Sequence, residues 1–431
     1  MKNDNHNHDS CCSEYANLSR RRFLKGSGLA GAAGFTAPAW LPKVAFGGGG
    51  AGSRDIVVAT NLRGAIDGLS FVVPYGDGDY YTNRPNLAVP QPGQADGAID
   101  LDGFFGLNPN ASALMTPYNN GHLSIFHAGG STDDTRSHFD GITRMDGGVP
   151  GSGVSGVDSG WLGRHLLGVS PVGSGDLRGM AIMDLMPVVL SGVDGAIPVR
   201  DPANYGFPGR VTTASERRRA IQLMYARAKE PLADVATSTL ETIDLLQAVD
   251  FAGYTPEGGA FYPNSAFGQQ LRSAAVMIKA GIDLEAIAID YGGWDHHNGQ
   301  GPVNGLLAGM LDDLSRSIEA FYLDLLPSGF INNVTMVMLS EFGRRVAENV
   351  SLGTDHGHGN MMMVLSGNTA GGQVHGTWPG LAPGQLDMGL DLAITTDYRD
   401  VVGEILQNRA GNTDLASVFP GHTFNFPGVT T

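Results

Sequence analysis

Side chains that bind metals or transfer protons recur in five short segments of this chain, most of them rich in glycine. The segments are RGAIDGLS, TRSHFDG, GGWDHHNG, SEFGRR and GTDHGHGN, which begin at residues 63, 135, 292, 340 and 353. A single aspartate or histidine in such a turn is an ordinary structural residue. Carboxylate and imidazole side chains repeated in several segments favour a metal-assisted site, since Zn²⁺, Mn²⁺ and iron accept this mixture of ligands.

The elements that precede these segments would bring them together. Six apolar runs predict buried strands, at Ile56–Ala59, Leu123–Phe126, Met180–Met183, Leu284–Ile289, Val334–Leu339 and Met361–Leu365. Helical segments lie between them, as in 304–326, where apolar residues recur at steps of three and four. This alternation predicts an α/β fold with a doubly wound, mostly parallel sheet flanked by helices. Ligands in such folds bind beyond the carboxyl ends of the strands, and the candidate residues follow the apolar runs.

Several candidate side chains also have ordinary structural interpretations. Asp67 lies in an Asp-Gly pair, which is a common turn, and Glu341 and Arg344 are spaced to form a simple ion pair. Ser137 and Asp140 have the spacing of a helix cap. A hydroxyl at a helix N-terminus also lies where backbone N–H groups stabilise an anion, so Ser137 is compatible with both roles.

The overall charge limits the class of partner. The 431 residues include 27 Lys+Arg and 43 Asp+Glu, a formal net charge of −16. A strongly acidic surface repels phosphate backbones, so we expect no nucleic-acid partner. An anionic substrate would need a local cation, such as a metal ion.

Residues 1–52 have the features of an export signal followed by a linker. SRRRFLKGSGLAGAAGFTAPAW, at 19–40, joins a basic start to a short, weakly apolar run, which is typical of a twin-arginine signal. The run is too short and too rich in glycine for a membrane span, so we expect none in the mature chain. Both cysteines, Cys11 and Cys12, lie within residues 1–52, which leaves the mature protein without thiolate ligands. We therefore expect the twin-arginine translocase as a partner and a periplasmic or secreted location.

The segments TRSHFDG, GGWDHHNG, SEFGRR and GTDHGHGN, together with LRGAIDGLSFVVPYGD and TTDYRDVVGEIL, resemble the bacterial family of unknown function DUF1501. The resemblance runs from about residue 55 to about residue 406. That family is placed in the alkaline phosphatase-like, or sulfatase-like, superfamily. Members of the superfamily hold metals with Asp and His at strand ends, and they cleave phosphate or sulfate esters. The resemblance implies one alkaline phosphatase-like domain over residues 53–431, in which 147–212 is a possible loop or cap insertion.

The resemblance also implies roles for individual residues. The candidate metal ligands are Asp67, Asp295, His297, Glu341, Asp355, His356 and His375. The catalytic candidates are Arg136, Ser137, His138 and Arg344, with Ser137 as nucleophile and one of the arginines paired with the anionic group. The ion would be zinc, or else manganese, calcium or magnesium. Two alternatives stay open: Glu341 competes with Asp355 for one ligand position, and Asp290 competes with Asp295.

Two functions are compatible with this pattern. The first is an exported, metal-dependent hydrolase of phosphate or sulfate esters that acts on an anionic small molecule or polymer. The alternative is a non-catalytic, metal-containing binding or assembly protein of the cell envelope that retains the fold.

Overall fold

The computed structural model of the protein describes residues 54–151, 158–173, 177–207, 209–229 and 232–431. The segment that we interpret as an export signal lies outside the described residues. So does the centre of the glycine-rich stretch 147–160.

Strands account for the predicted apolar runs. The described strands are β1 Ile56–Arg63, β2 Val72–Val73, β3 Ile99–Asp100, β4 Gly106–Leu107, β5 Leu123–Gly130, β6 Gly179–Ala181, β7 Ala196–Pro198, β8 Ala286–Gly292, β9 Val334–Leu339, β10 Asn360–Leu365, β11 Gln373–His375 and β12 Thr396–Asp397. All six predicted strands are therefore confirmed, with shifts of a few residues at their ends.

Helices connect most of these strands. The described α-helices are α1 Gly68–Phe71, α2 Gly78–Asn83, α3 Met115–Asn119, α4 His138–Gly147, α5 Trp161–Gly168, α6 Ala214–Tyr225, α7 Leu232–Ala248, α8 Ala266–Lys279, α9 Leu306–Leu325, α10 Tyr398–Asn408 and α11 Leu415–Val418. Short 3₁₀ helices lie at Pro109–Leu114, Val188–Leu190, Pro202–Asn204, Val211–Thr213 and Phe330–Asn333. None of the described helices combines the length and the apolar character that a membrane span requires.

One large sheet carries the fold. Its strand order is β11-β5-β10-β9-β1-β8-β6-β7, and β12 also pairs with β5. β6 and β7 come from within residues 147–212, so part of that region joins the main sheet. A small second sheet has the order β2-β4-β3.

Both faces of the large sheet are buried, which explains why its strands are continuous apolar runs. Val58 and Met336 face a core that includes the apolar sides of α8 and α9. Their neighbours Val57 and Val337 point to the opposite face and pack in a second core with α5 and α10. The mostly parallel sheet flanked by helices is therefore confirmed.

β10 is the exception to the parallel arrangement. It runs antiparallel to both of its neighbours, β9 and β5, whereas the other pairs in this sheet are parallel. Its first residue, Asn360, pairs with Gly129 near the carboxyl end of β5. The segment before β10 therefore lies at the edge where β1, β5, β8 and β9 end, and the segment after it lies at the opposite edge.

His127 in β5 links the large sheet to the small one. Its Nε2 donates to the backbone oxygen of Val72 at 2.8 Å, and its Nδ1 accepts from the backbone N–H of Ala128 at 2.9 Å. The ring is buried and stacks on Phe105. Both nitrogens are thus satisfied only in the neutral form. Burial lowers the pKa of His127 to about 4.

Candidate metal centre

Four segments bring acidic and imidazole side chains to the common edge of the sheet. His138 is the first residue of α4, which follows β5. Asp295 and His297 follow β8, Glu341 follows β9, and His356 lies just before β10. The antiparallel direction of β10 is what places His356 at the same edge as the others.

The carboxylate of Asp295 is the point on which three imidazoles converge. Its Oδ1 lies 2.9 Å from His297 Nε2 and 3.0 Å from His356 Nε2, and its Oδ2 lies 3.5 Å from His138 Nε2. The Nε2 atoms of His297 and His356 are 3.0 Å apart. His138, Asp295 and His356 offer ligand atoms that all lie within 4.8 Å of one another, close enough to share one metal ion.

Each of the three imidazole rings that approach Asp295 is also hydrogen-bonded through its Nδ1 atom. The partners of Nδ1 are Glu341 Oε1 for His138 at 2.8 Å, the backbone oxygen of Arg136 for His356 at 2.8 Å, and Asp355 Oδ1 for His297 at 3.3 Å. A neutral imidazole that donates from Nδ1 carries its lone pair on Nε2. The three acceptors therefore favour a proton on each Nδ1, and a metal ion at Nε2 would replace the proton through which Nε2 bonds Asp295. Such outer partners are typical of histidine ligands.

The charge on Asp295 is strongly stabilised. Burial alone would raise the pKa of its carboxyl group, but hydrogen bonds from His138, His297 and His356 and the charge of Arg344 hold that pKa well below its usual range. The carboxylate is therefore ionised over the whole physiological range, as a metal ligand must be.

Glu341 lies behind His138 rather than at the shared point. Its side chain is inaccessible to solvent, and its Oε1 also accepts from the backbone N–H of Gly64 at 2.7 Å. Although burial opposes ionisation, the hydrogen bond from His138 and the charge of Arg63 lower the pKa of Glu341. In turn, burial lowers the pKa of His138, but its bonds to Asp295 and Glu341 outweigh this effect and raise it to about 9. Glu341 thus orients a ligand and does not itself reach the point where the imidazoles converge.

Arg344 connects the segments that carry the ligands. Its guanidinium group is buried and donates to the backbone oxygens of Gly64, Ala65 and Thr354 at 2.6, 2.6 and 2.9 Å. It also donates to Asp295 Oδ1 at 2.6 Å. The sequence suggested that this residue pairs with a substrate anion, but its donors are occupied by the protein itself.

Two glycines allow the segments to approach this closely. Gly64 has φ +110°, and a Cβ atom there would lie 2.9 Å from the backbone nitrogen of Asp295. A Cβ atom on Gly357 would lie 2.3 Å from the carbonyl carbon of Arg344. Gly357, between the two histidines of GTDHGHG, is therefore required by backbone contact and not by the chemistry of its neighbours.

Arg136 and Ser137 lie beside the centre, at the beginning of α4. The Arg136 backbone orients His356, while its side chain pairs with the buried carboxylate of Asp391. Ser137 is the N-cap residue of α4, but its side chain makes no capping hydrogen bond. The predicted capping box with Asp140 is therefore not formed, and Ser137 keeps its place next to a ligand.

Asp67 is not part of the cluster. It is buried, and its Oδ2 accepts from Arg84 at 2.6 Å and from Gln300 at 2.5 Å. Burial opposes its ionisation, but the charge and hydrogen bond of Arg84 lower the pKa of Asp67. A buried guanidinium therefore takes the place that the sequence suggested for a metal ion beside Asp67, and no local motif in the sequence points to Arg84.

Three other histidine and aspartate candidates also lie elsewhere. His375 stacks on Phe126 within the sheet, and its Nε2 bonds the backbone oxygen of Ala370 at 2.9 Å. It lies away from the cluster because the segment after β10 starts from the opposite edge of the sheet. His358 bonds Asp387 Oδ2 at 2.6 Å. Asp290 bonds Asn61 at 3.0 Å and takes no part in the convergence on Asp295.

A family match decides to which group of proteins this chain belongs. The family DUF1501, described as a protein of unknown function, matches residues 127–418. The chain belongs to the DUF1501 family. The DUF1501 match includes His138, Asp295, His297 and His356, and it leaves out the RGAIDGLS segment. No curated protein sequence matches the chain.

Several solved structures are similar to this DUF1501 protein at low sequence identity. One is a protein in the alkaline phosphatase superfamily from Vibrio parahaemolyticus, at 10% identity over 82% of this chain and 70% of that one, with a TM-score of 0.32. The PsFucS1 sulfatase from Pseudoalteromonas sp. matches at 13% identity over 74% and 64% of the two chains, with a TM-score of 0.32. The phosphonate monoester hydrolase of Agrobacterium radiobacter matches at 11% identity over 86% and 79%, with a TM-score of 0.32. Similarity of this size carries no argument about chemistry, which has to come from the residues of this chain.

Proposed function

We propose that this DUF1501 protein is a metal-dependent hydrolase of phosphate or sulfate esters, with one divalent ion held by His138, Asp295, His297 and His356. The observation that carries the proposal is the convergence of three Nε2 atoms on one ionised carboxylate, with every Nδ1 bound to an acceptor. Three imidazoles and a carboxylate suit zinc, manganese or iron better than calcium or magnesium, which prefer oxygen ligands.

The surroundings of the centre favour an anionic ester as substrate. When bound, the ion supplies positive charge that polarises an ester oxygen and promotes ionisation of an attacking hydroxyl group. His138 starts the ten-residue helix α4, and the N-terminus of a helix favours a phosphate or sulfate group. Ser137 lies at that N-terminus as the candidate nucleophile. Glu341, Asp355 and the Arg136 backbone keep the ligand rings in place during the reaction.

Metal analysis and turnover assays test the proposal together. Purified mature protein would be analysed for bound metals and assayed with 4-nitrophenyl phosphate, bis(4-nitrophenyl) phosphate and 4-nitrophenyl sulfate. We expect about one equivalent of metal and turnover of at least one ester, both lost in Asp295→Asn. Asp290→Asn is the matched control, because Asp290 lies in β8, the strand that leads to Asp295, but outside the cluster.

The possible outcomes separate the two functions that the sequence allows. Absence of bound metal in the wild type, or equal metal content in Asp295→Asn and the wild type, would overturn the proposed centre. Metal without turnover, and no effect of Ser137→Ala on any property, would favour the non-catalytic protein of the cell envelope. Loss of turnover in Ser137→Ala with full metal content would identify the hydroxyl as the attacking group.

We also propose that the protein leaves the cytoplasm through the twin-arginine pathway, on the basis of the pattern at residues 19–40. Replacement of Arg20 and Arg21 by lysine keeps the charge of the segment and removes the arginine pair. We expect the variant to remain uncleaved in the cytoplasm, whereas the wild type is recovered outside it. Equal export of both forms would exclude this route.

A further inference from the structure

A cleft of about 380 Å³ lies next to the metal centre, between the segment that contains Arg345 and Val350 and the segment that contains Leu386 and Leu390. Its volume lies within the usual range for small-molecule sites. Asp355 lines the cleft, and the same side chain accepts from His297 Nδ1 at 3.3 Å. The cleft and the metal centre therefore share one carboxylate.

Arg345 is the ionisable group of the cleft with unused hydrogen-bonding capacity. Glu348 is occupied, since its carboxylate accepts from the backbone N–H groups of Asn86 and Leu87 at 3.0 and 2.7 Å. Asp355 accepts from Asn349 at 3.1 Å as well as from His297. In contrast, Arg345 makes one long ion pair in the cleft, and its buried Nε makes no hydrogen bond with the described part of the chain.

The nearest carboxylate oxygen to Arg345 is too far for a hydrogen bond. Asp355 Oδ2 lies 3.9 Å from Arg345 Nη1, an ion-pair distance that leaves the guanidinium donors for another acceptor. The Arg345 side chain is 39% exposed, so a ligand in the cleft can reach it. The neighbouring cations Arg136 and Arg344 are instead committed to Asp391 and to backbone oxygens.

The cleft also has an apolar rim, which is unusual next to a polar site. Val350 is fully exposed and Leu390 is 45% exposed. Met388 precedes the cleft residue Gly389, contacts Arg136 through its Sδ and is 70% exposed. Met388 has φ 51°, in the left-handed region that non-glycine residues rarely adopt. A strained backbone that presents a long apolar side chain to solvent is typical of a segment that serves recognition.

We propose that this cleft binds the organic part of the substrate, an apolar skeleton that carries a second anionic group paired with Arg345. The inference rests on the proposed ester hydrolase for what happens at the metal centre, but the binding itself does not. Asp355 and His297 stand between Arg345 and Asp295, so the anion at Arg345 is distinct from the ester group at the metal. The substrate class is therefore an amphiphilic ester with two anionic groups and not a neutral sugar ester. In a chain with a net charge of −16, the guanidinium of Arg345, which has only a long ion pair with Asp355, supplies the required local attraction.

Binding of naphthalene-1-sulfonate tests this cleft without any turnover. The probe has an apolar ring system, one anionic group and no ester bond. Calorimetric titration of chelator-treated full-length protein should show one saturable site. We expect Arg345→Gln to weaken binding roughly tenfold, since a charge-assisted hydrogen bond is lost, and Arg345→Lys to weaken it less.

Matched controls separate the cleft from general effects of charge. Arg316→Gln removes a cation of another surface pocket, where Arg316 already pairs with Asp312, and should leave the affinity unchanged. Leu390→Asp should weaken binding, whereas Leu306→Asp, at an exposed leucine far along the chain, should not. Circular dichroism would verify that each variant is folded.

The results distinguish failure of this inference from failure of the proposed function. Absence of saturable binding, or equal affinity in the wild type and Arg345→Gln, overturns the cleft whether or not esters are hydrolysed. Equal loss of affinity for the neutral naphthalene-1-sulfonamide in Arg345→Gln would overturn the charge pair. Sulfonate binding that depends on Arg345, in a protein that hydrolyses no ester, would uphold the cleft and reject the hydrolase.

Discussion

Replacement of Glu341 by glutamine removes the buried charge behind His138 and keeps a side chain of nearly the same shape. Glu341 Oε1 accepts from His138 Nδ1 at 2.8 Å and from the Gly64 N–H at 2.7 Å. A glutamine can offer one carbonyl oxygen to both donors, but it lacks the negative charge that favours a proton on Nδ1. We therefore expect Glu341→Gln to weaken metal binding without preventing the fold.

The expected magnitude comes from comparison with Asp355, which holds His297 in the same way. The Asp355 contact is longer, at 3.3 Å, and its side chain is 45% exposed, so water screens the charge. Loss of an outer partner of a histidine ligand lowers metal affinity roughly 10- to 100-fold. The buried contact belongs at the upper end, so we expect roughly 100-fold for Glu341→Gln, or about 2.7 kcal/mol. For Asp355→Asn we expect roughly tenfold or less.

Competition with a chromophoric chelator at pH 7.5 would measure the dissociation constants of Zn²⁺ and Mn²⁺ for the wild type and both variants. Glu348→Gln serves as the control, because that carboxylate bonds Asn86 and Leu87 away from the metal ligands. Thermal unfolding of the metal-free proteins would show whether the variants are intact. Unchanged affinity in Glu341→Gln, or a larger loss in Asp355→Asn, would refute the proposed division of roles between the two carboxylates.

Three further predictions concern the stability of the fold around the centre. His127 has a folded-state pKa of about 4 against an ordinary value of 6.5, so the unfolded chain binds this proton first as the pH falls. Urea unfolding should show that the free energy of unfolding falls by about 2 kcal/mol from pH 7.5 to pH 5, and that this loss is absent in His127→Gln. An equal dependence of the free energy of unfolding on pH in both proteins would contradict the buried neutral ring. Arg84→Met leaves Asp67 buried without its cation and should cost about 3–5 kcal/mol, part of which the double variant with Asp67→Asn should recover; purely additive losses would argue against the pair. Gly357→Ala forces its segment away from the Arg344 backbone and should reduce both stability and metal affinity, whereas Gly309→Ala in α9, where a Cβ meets nothing within 4 Å, should stabilise the fold by about 1 kcal/mol. Calorimetry measures the stability of both variants, and chelator competition measures their metal affinity. Normal metal affinity in Gly357→Ala would contradict the close contact.

The sequence was sufficient for the strands and for the segments that meet at the sheet edge. Strands buried on two faces must be apolar throughout, so runs such as Val334–Leu339 are recognisable without any structure. The polar residues that follow them collect at one edge because parallel strands end together. This reasoning correctly brings Asp295 and Glu341 to the same edge, where both contact His138.

The direction of β10 could not be read from its composition, since parallel and antiparallel buried strands have the same apolar pattern. Its antiparallel pairing brings His356, which precedes the strand, to the shared edge. The same pairing takes the segment that leads to His375 to the opposite edge. The resemblance had placed both histidines at the metal.

The difference between a metal ligand and its outer partner was also beyond the sequence. Glu341 and Asp355 are acidic residues in the predicted segments, but whether an oxygen faces the ion or the back of an imidazole depends on side-chain direction. His138 illustrates the converse, because a residue predicted to be catalytic has its Nε2 directed to Asp295. A cation such as Arg84, which reaches Asp67 from 17 residues away, leaves no local motif at all.

The buried guanidinium of Arg344 couples the proposed metal centre to the folded state of the chain. It joins backbone oxygens near residues 64, 294 and 354, so the segments that carry the candidate ligands are held together where β1, β8 and β9 are paired. An unfolded chain, whose ligands are spread from residue 138 to residue 356, would have little affinity for the ion. Metal that binds only the folded chain at 1,000 times its dissociation constant adds about 4 kcal/mol to stability. Under the proposed function, the ion would therefore be one that is available in the compartment where the chain folds, before any later change of location.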